Sequence, residues 1–209
     1  MAISELQLPD GRGGTVSGRL AKAGSPLVIL AHGAGSNQDH PGVSLLRDGL
    51  AGEGIAVLTF NYPYTEAGRK APDSQPVLLG CHRAVIDWAS ARWDNPVLAG
   101  RSMGGRMASY LVAEGAAVKG LVCLAYPLHP PGRPDSLRAD HLPTIKIPVL
   151  FVRGDRDTMS RTDLFDRHVR SLAAATILDV PGVGHGLPIT ATIVSGVALW
   201  VRSLVSGKA

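Results

Sequence analysis

The 209-residue chain has little of what marks several protein classes. Its two cysteines, Cys81 and Cys123, stand in no Cys-x-x-Cys or Cys/His pattern of metal spacing, which excludes a disulfide framework and the common zinc motifs and leaves both as small core residues. Aromatic residues make up only 5%, and the formal charge of +4 is not gathered into blocks. The basic stripe interleaved with aromatics that marks a nucleic-acid surface is therefore missing, and no nucleic-acid partner is expected. Charged residues amount to 18%, and the 25 glycines and 15 prolines are spread along the chain, so disorder, collagen and coiled coil are excluded. No apolar run approaches the roughly 18 residues of a membrane span, and MAISELQLPDGRGG lacks a basic segment followed by an apolar one. No membrane association is expected, and a cytoplasmic location is the default.

What the chain does have is 45% hydrophobic content, enough to fill one core, and one domain over 1–209 is expected. Short apolar runs rich in β-branched residues at 27–31, 55–60, 96–99, 120–125, 149–152 and 176–180 read as buried strands. Stretches with apolar residues three and four apart alternate with them: Val77, Leu78, Cys81, Ala84, Val85 and Trp88; then Met107, Ala108, Leu111 and Val112. The spacing returns at Leu164, Phe165, Val169 and Leu172, and at Ile189, Ile193, Val197, Trp200 and Leu204. This order predicts an α/β fold, a mostly parallel twisted sheet with helices on both faces. Alternation at 3–8 and 15–20 around Pro9-Asp10-Gly11 predicts an antiparallel hairpin at the sheet edge. In such a sheet ligands bind beyond the carboxyl ends of the strands, so the loops beginning at His32, Asn61, Gly100, Tyr126 and Arg153 should share one rim.

The sharpest local feature is Gly100-Arg101-Ser102-Met103-Gly104-Gly105. As a bare G-x-S-x-G pattern it is weak; its place between a predicted strand and a predicted helix gives it meaning. A serine on a sharp strand-to-helix turn projects its hydroxyl into the cleft, and the small residues two before and two after let neighbouring elements pass close by. Ser102 is read as a nucleophile. A serine hydroxyl needs an imidazole to take its proton and a carboxylate to orient that imidazole. Downstream, Asp157 follows the strand at 149–152, and His185 sits among glycines in Pro181-Gly182-Val183-Gly184-His185-Gly186. Asp155 competes with Asp157 for the acid role; Asp157 is favoured. Acyl chemistry also needs two backbone N–H donors for an oxyanion, and Ala34 in His32-Gly33-Ala34-Gly35 and Met103 are expected to supply them. His82 and His168 read as partly exposed helix residues, and His129 and His141 as residues of a solvated loop. His32, Asp39 and His40 match no zinc spacing, and no metal or organic cofactor is expected.

From about Leu27 to the C-terminus these residues resemble the α/β-hydrolase superfamily. More narrowly, Ala31-His32-Gly33-Ala34-Gly35 with Asp39-His40-Pro41, and Gly100-Arg101-Ser102-Met103-Gly104-Gly105-Arg106, are similar to the KANL3/Tex30-like group of small α/β-hydrolases, near the dienelactone hydrolase-like proteins. The resemblance implies the α/β-hydrolase fold, with nucleophile, late acid and late histidine at Ser102, Asp157 and His185. Those relatives often carry cysteine at the elbow, so Ser102 favours esterase-type chemistry.

The expected function is a serine hydrolase of small carboxylic esters or thioesters, working as a monomer or homodimer through an acyl-enzyme. The rival is a non-catalytic interaction module on the same fold. The segment 127–148 is too short to build a large lid. Tyr62 and Tyr64, with Leu128 and Leu142, are expected to line the substrate pocket, with loop packing the equal alternative; Arg69, Lys70, Arg133 and Arg138 in the rim loops read first as scattered surface charge, with an anionic substrate as the alternative.

Overall fold

The structure, a computed structural model, describes residues 2–21 and 24–205. Two strands, β1 (Ile3–Pro9) and β2 (Thr15–Ala21), pair antiparallel around a turn in which Asp10 Oδ1 accepts the N–H groups of Arg12 and Gly14 at 2.7 and 2.9 Å. There follow β3 (Leu27–Ala31), α1 (Pro41–Gly52), β4 (Ala56–Phe60), the single turn α2 (Pro63–Glu66), α3 (Gln75–Ser90), β5 (Val97–Arg101) and α4 (Met103–Ala113). The chain ends with β6 (Gly120–Leu124), β7 (Val149–Gly154), the short α5 (Thr162–Phe165) running on as a π turn over Asp166–Arg170, β8 (Ala175–Val180) and α6 (Ala191–Ser203).

The eight strands form one sheet in the order β1-β2-β4-β3-β5-β6-β7-β8. The first hairpin occupies one edge, β2 joins β4 antiparallel, and every pairing from β4 through to β8 is parallel. This is the mostly parallel α/β sheet with an edge hairpin that the pattern of strands and helices predicts, and it is the α/β-hydrolase fold that the resemblance implies.

Side-chain alternation along the strands divides the core in two. Leu27, Ile29 and Ala31 of β3 face a layer holding Cys81 and Val85 of α3 and Met107 and Leu111 of α4. Val28 and Leu30 face the opposite layer, with Leu46 and Leu50 of α1 and Val197 and Val201 of α6. Covered on both faces, β3 is buried at all five positions, which is why it reads as an unbroken apolar run.

Helix α1 lies outside the helices predicted from the sequence, although its signals are present. Pro41 sits at the first helical position, His40 Nδ1 accepts from the Gly42 N–H at 3.0 Å, and Val43, Leu46 and Leu50 form its buried stripe. The helix expected around 164–172 begins at Thr162, ends at Arg170 and is π over its second half, with Phe165 and Val169 its buried residues.

Strand β3 pairs with β4 on one side and β5 on the other, so the chain's winding reverses there. The loops leaving β3 and β5 diverge above that point and open a crevice. The segment between β6 and β7 contributes only the short 3-10 turn Leu142–Thr144, and no lid stands over the crevice among the described residues. No helix among those residues is long and apolar enough to cross a membrane.

Candidate active site

Strand β5 ends at Arg101, and Ser102 makes the turn into α4 with φ 49° and ψ −113°. A positive φ strains a residue that carries a Cβ, at a cost of about 1–3 kcal/mol, and persists only where the surroundings over-determine it. Here they do. The Ser102 N–H donates to the Leu124 carbonyl at the end of β6, 2.8 Å away. A Cβ on Gly100 would stand 2.2 Å from the Gly105 nitrogen, and one on Gly104 2.6 Å from the Ala31 carbonyl oxygen. Strand, turn and helix therefore close on one another only because both positions are glycine.

Two loops from the far side of the sheet meet Ser102. Asp157 follows β7 and is 2% exposed; its Oδ1 accepts the Met159 N–H at 2.8 Å. Its Oδ2 lies 2.8 Å from His185 Nδ1, and His185 Nε2 lies 2.9 Å from Ser102 Oγ. A carboxylate only accepts, so the Nδ1 proton points at Asp157 and Nε2 presents its lone pair to the Ser102 hydroxyl. Asp155 is occupied elsewhere, accepting the Gly182 N–H at 2.7 Å. The loops are also joined through their backbones: the Arg156 N–H donates to the Val183 carbonyl at 2.9 Å, and a Cβ on Gly154 would fall 2.1 Å from that same oxygen.

These residues open onto a cleft of about 500 Å³, whose walls include Ala34, Met103, Ser102 and His185. As the first residue of α4, Met103 has an N–H with no acceptor inside the helix. Ala34 lies in the exposed turn after β3 beside Ser102; a Cβ on its neighbour Gly33 would come 3.6 Å from the Ser102 Cβ. Among the described residues no cluster of His, Cys, Asp and Glu could hold a metal ion.

A family model described as alpha/beta hydrolase domain matches residues 24–190. The chain belongs to that family. Solved structures similar to this α/β hydrolase include TT1662 from Thermus thermophilus, at 20% identity, TM-score 0.80 and full coverage of both chains. The esterase domain of a Rhodothermus marinus protein aligns at 16% identity and TM-score 0.76, covering 97% of this chain and 99% of that one. XC6422 from Xanthomonas campestris, described as an α/β serine hydrolase without lid, aligns at 20% identity and TM-score 0.72, with coverage of 99% and 94%. At these identities the likeness is one of fold.

Several residues of this α/β hydrolase stand elsewhere than the sequence suggests. Tyr62 and Tyr64 lie within the core and off the cleft wall, both fully buried. The α2 turn directs them inward, where the Tyr62 hydroxyl finds His82 Nδ1 at 3.1 Å and the Tyr64 hydroxyl donates to the Gly33 carbonyl at 3.3 Å. A tyrosine whose hydroxyl has a partner is a stable core residue. Leu128 and Leu142 are likewise buried in the layer under α4, and the cleft's apolar wall is made instead by Leu78, Met107, Pro127, Pro131 and Met159.

His82 is fully buried where a partly exposed helix residue was expected, and burial lowers its pKa to about 3. His129 is also buried where a solvated loop was expected, its Nδ1 2.9 Å from the Pro130 carbonyl. His141 Nε2 lies 2.8 Å from Ser109 Oγ, and burial lowers its pKa to about 4.

Of the rim-loop cations singled out in the sequence, Arg138 alone lines the cleft, and Arg69 is paired with Asp73 at 2.5 Å. Arg101 and Arg106 line it as well. Their signal was position: Arg101 directly precedes Ser102, and Arg106 follows it by four residues, which places it one helical turn further along α4.

Proposed function

We propose that this α/β hydrolase cleaves small carboxylic esters or thioesters through an acyl-enzyme on Ser102, without a cofactor and as a monomer or homodimer. The observation that carries the reading is the unbroken line of contacts from Ser102 Oγ through His185 to Asp157. The Ser102 Oγ–H proton passes to His185 Nε2 as Oγ attacks the scissile carbonyl carbon. The carbonyl oxygen becomes an oxyanion held by the Ala34 and Met103 N–H groups; losing one such donor elsewhere costs about 3–4 kcal/mol. Collapse breaks the C–O or C–S bond, and the departing alcohol or thiol takes its proton from His185. Water then attacks the acyl-enzyme with His185 as base, the acid leaves, and Ser102 regains its proton. Asp157 holds the imidazole tautomer and steadies its protonated form throughout.

The open cleft suits small substrates. Within the family, the loop after β3 and the residues around Ser102 support a place in the KANL3/Tex30-like group.

An active-site-directed fluorophosphonate tests the reading. The native chain should be labelled at one serine and turn over 4-nitrophenyl acetate, and Ser102→Ala should abolish labelling and most turnover. A folded native chain that neither labels nor turns over the ester overturns the proposal in favour of a non-catalytic interaction module.

A further inference from the structure

Three guanidinium groups line the cleft; that of Arg101 is hydrogen-bonded to the Leu187 and Gly186 carbonyls, and among the described residues the other two have neither an ion-pair nor a hydrogen-bond partner. Arg106, whose N–H donates to the Ser102 carbonyl at 3.1 Å, and Arg138, in the segment after β6, both line the cavity that holds Ser102 and His185. Other arginines do face carboxylates, as Arg161 does with Asp163 at 3.0 Å and Arg170 with Asp166 at 2.9 Å. Among the described residues neither Arg106 nor Arg138 enters an ion pair, and neither guanidinium makes a hydrogen bond. Arg106 Nε is buried with no partner. An orphaned buried donor costs about 1–3 kcal/mol, and more on a charged group. An anion in the cleft would offset the positive charge that the two groups bring to its wall.

The two stems are held by a shared buried network. Ser109 Oγ donates to the Arg106 carbonyl at 2.8 Å, and the Tyr126 hydroxyl donates to the Arg138 carbonyl at 3.2 Å. Those hydroxyls lie 3.2 Å apart, and His141 Nε2 stands 2.8 Å from Ser109 Oγ. The Arg138 N–H donates to the Leu128 carbonyl at 2.8 Å. The backbones carrying the two cations are thus tied to one another before any ligand arrives. Burial holds the Arg138 guanidinium below its ordinary value, and the positive charge of Arg106 adds to that shift. The cleft's own carboxylate, Asp73, is bonded to Arg69 and joins neither cation.

Resting on the hydrolase reading, we infer that Arg106 and Arg138 form a carboxylate subsite, and that the substrate is a small ester or thioester with a second, free carboxylate near its scissile carbonyl. Guanidinium forks match the planar carboxylate and strengthen in a partly dry cleft. The walls of Leu78, Met107 and Met159 suit the short methylene spacer between the two ends. Hydrolysis breaks one acyl–oxygen or acyl–sulfur bond. Water supplies the oxygen of the new carboxylate, and the products are a dicarboxylate, an alcohol or thiol, and one proton.

Two measurements test this. The first compares kcat/KM for mono-4-nitrophenyl glutarate with that for neutral 4-nitrophenyl pentanoate in the native chain, Arg106→Gln and Arg138→Gln. Because each ratio is taken within one preparation, a misfolded fraction cancels. The native ratio should exceed ten, fall at least fivefold in each variant through a rise in KM for the charged ester, and fall with added salt. The second titrates monomethyl glutarate into Ser102→Ala, alone and combined with each arginine variant, by calorimetry. Binding should weaken at least tenfold in the combinations. Hydrolysis of both esters with a ratio near one that neither variant changes overturns the subsite and leaves the hydrolase standing. Arginine-dependent glutarate binding without hydrolysis of either ester sustains the subsite and overturns the hydrolase. Neither binding nor hydrolysis overturns both.

Discussion

Arg101 Nη1 donates to the carbonyl oxygen of Leu187 at 2.9 Å, and Nη2 of the same guanidinium donates to Gly186 at 2.6 Å. The residue directly before Ser102 thereby grips the loop directly after His185. Ser102 and His185 come from opposite ends of a long stretch of chain, and this bridge couples their positions independently of the contact between their side chains. Helix α1 comes close to the bridge through Gly42, where a Cβ would sit 3.0 Å from the Arg101 guanidinium.

Arg101 should therefore act as a positioning residue. Arg101→Gln is expected to lower kcat about 10- to 100-fold, the scale of a misplacement near one ångström, while KM for a neutral ester changes less than threefold. Arg101→Lys should recover part of the loss, since a single ammonium cannot copy the fork. Steady-state kinetics on 4-nitrophenyl esters decide the point: a rise in KM with kcat intact would assign Arg101 to substrate binding instead.

The two carboxylates after β7 should differ sharply. Asp157→Asn replaces an acceptor with a group that can present N–H to His185 and favour the wrong tautomer; kcat should drop by about a thousandfold or more. Asp155→Asn removes a charge whose one backbone partner is the Gly182 N–H, and the loss should stay below tenfold. Equal losses in the pair would mean that loop geometry, and not the imidazole contact, dominates.

The contrast between Ser102 and Tyr62 shows what the linear order could reveal. The placement of Ser102 was legible because it depends on local events: a buried strand, glycines two residues to either side, and a helix that begins at once. The loops that carry Asp157 and His185 were legible by their place after strands, though that Asp157 rather than Asp155 contacts the imidazole shows only in the structure. Tyr62 follows a strand just as the rim loops do, and nothing local shows that its ring turns inward. Its partner, His82, lies on α3, and only packing brings the two to 3.1 Å. The Arg106–Arg138 pair was half visible for the same reason, since one member sits on a helix and the other in a loop.

Gly104→Ala should destabilise the fold more than an ordinary helix substitution. Alanine is normally the better helix former by about 1 kcal/mol. Here the added Cβ would meet the Ala31 and His32 carbonyl oxygens at 2.6 and 2.7 Å, and both are backbone atoms that cannot swing aside. A net loss of about 2–3 kcal/mol is expected, the range of overpacked sites. Gly52→Ala, near the end of α1 with open space around its position, provides the control and should not destabilise. Urea denaturation of the pair tests the prediction, which fails if Gly104→Ala is as stable as the parent.

Acid should weaken the fold through its buried histidines. His32 and His82 are fully buried, and burial lowers their pKa values to about 4 and about 3 from the usual 6.5. The contacts agree with neutral rings: His32 Nε2 accepts the Tyr62 N–H at 3.2 Å while Nδ1 donates to the Gly33 carbonyl at 2.8 Å, so a second ring proton would point at a donor. His82 Nε2 is buried without a partner. Between the folded and unfolded values the unfolded chain binds more protons. Stability is therefore complete above about pH 6.5 and falls as the pH drops toward 4, and His141, lowered to about 4, acts in the same direction. Two buried rings set a slope of at most about 3 kcal/mol per pH unit. The urea midpoint should be level from pH 8 to 7 and decline from pH 6.5 to 5, and His82→Gln should flatten that decline by about one proton's share. A midpoint unchanged between pH 6.5 and 5 would mean that these rings are protonated as readily in the folded chain as in the unfolded one.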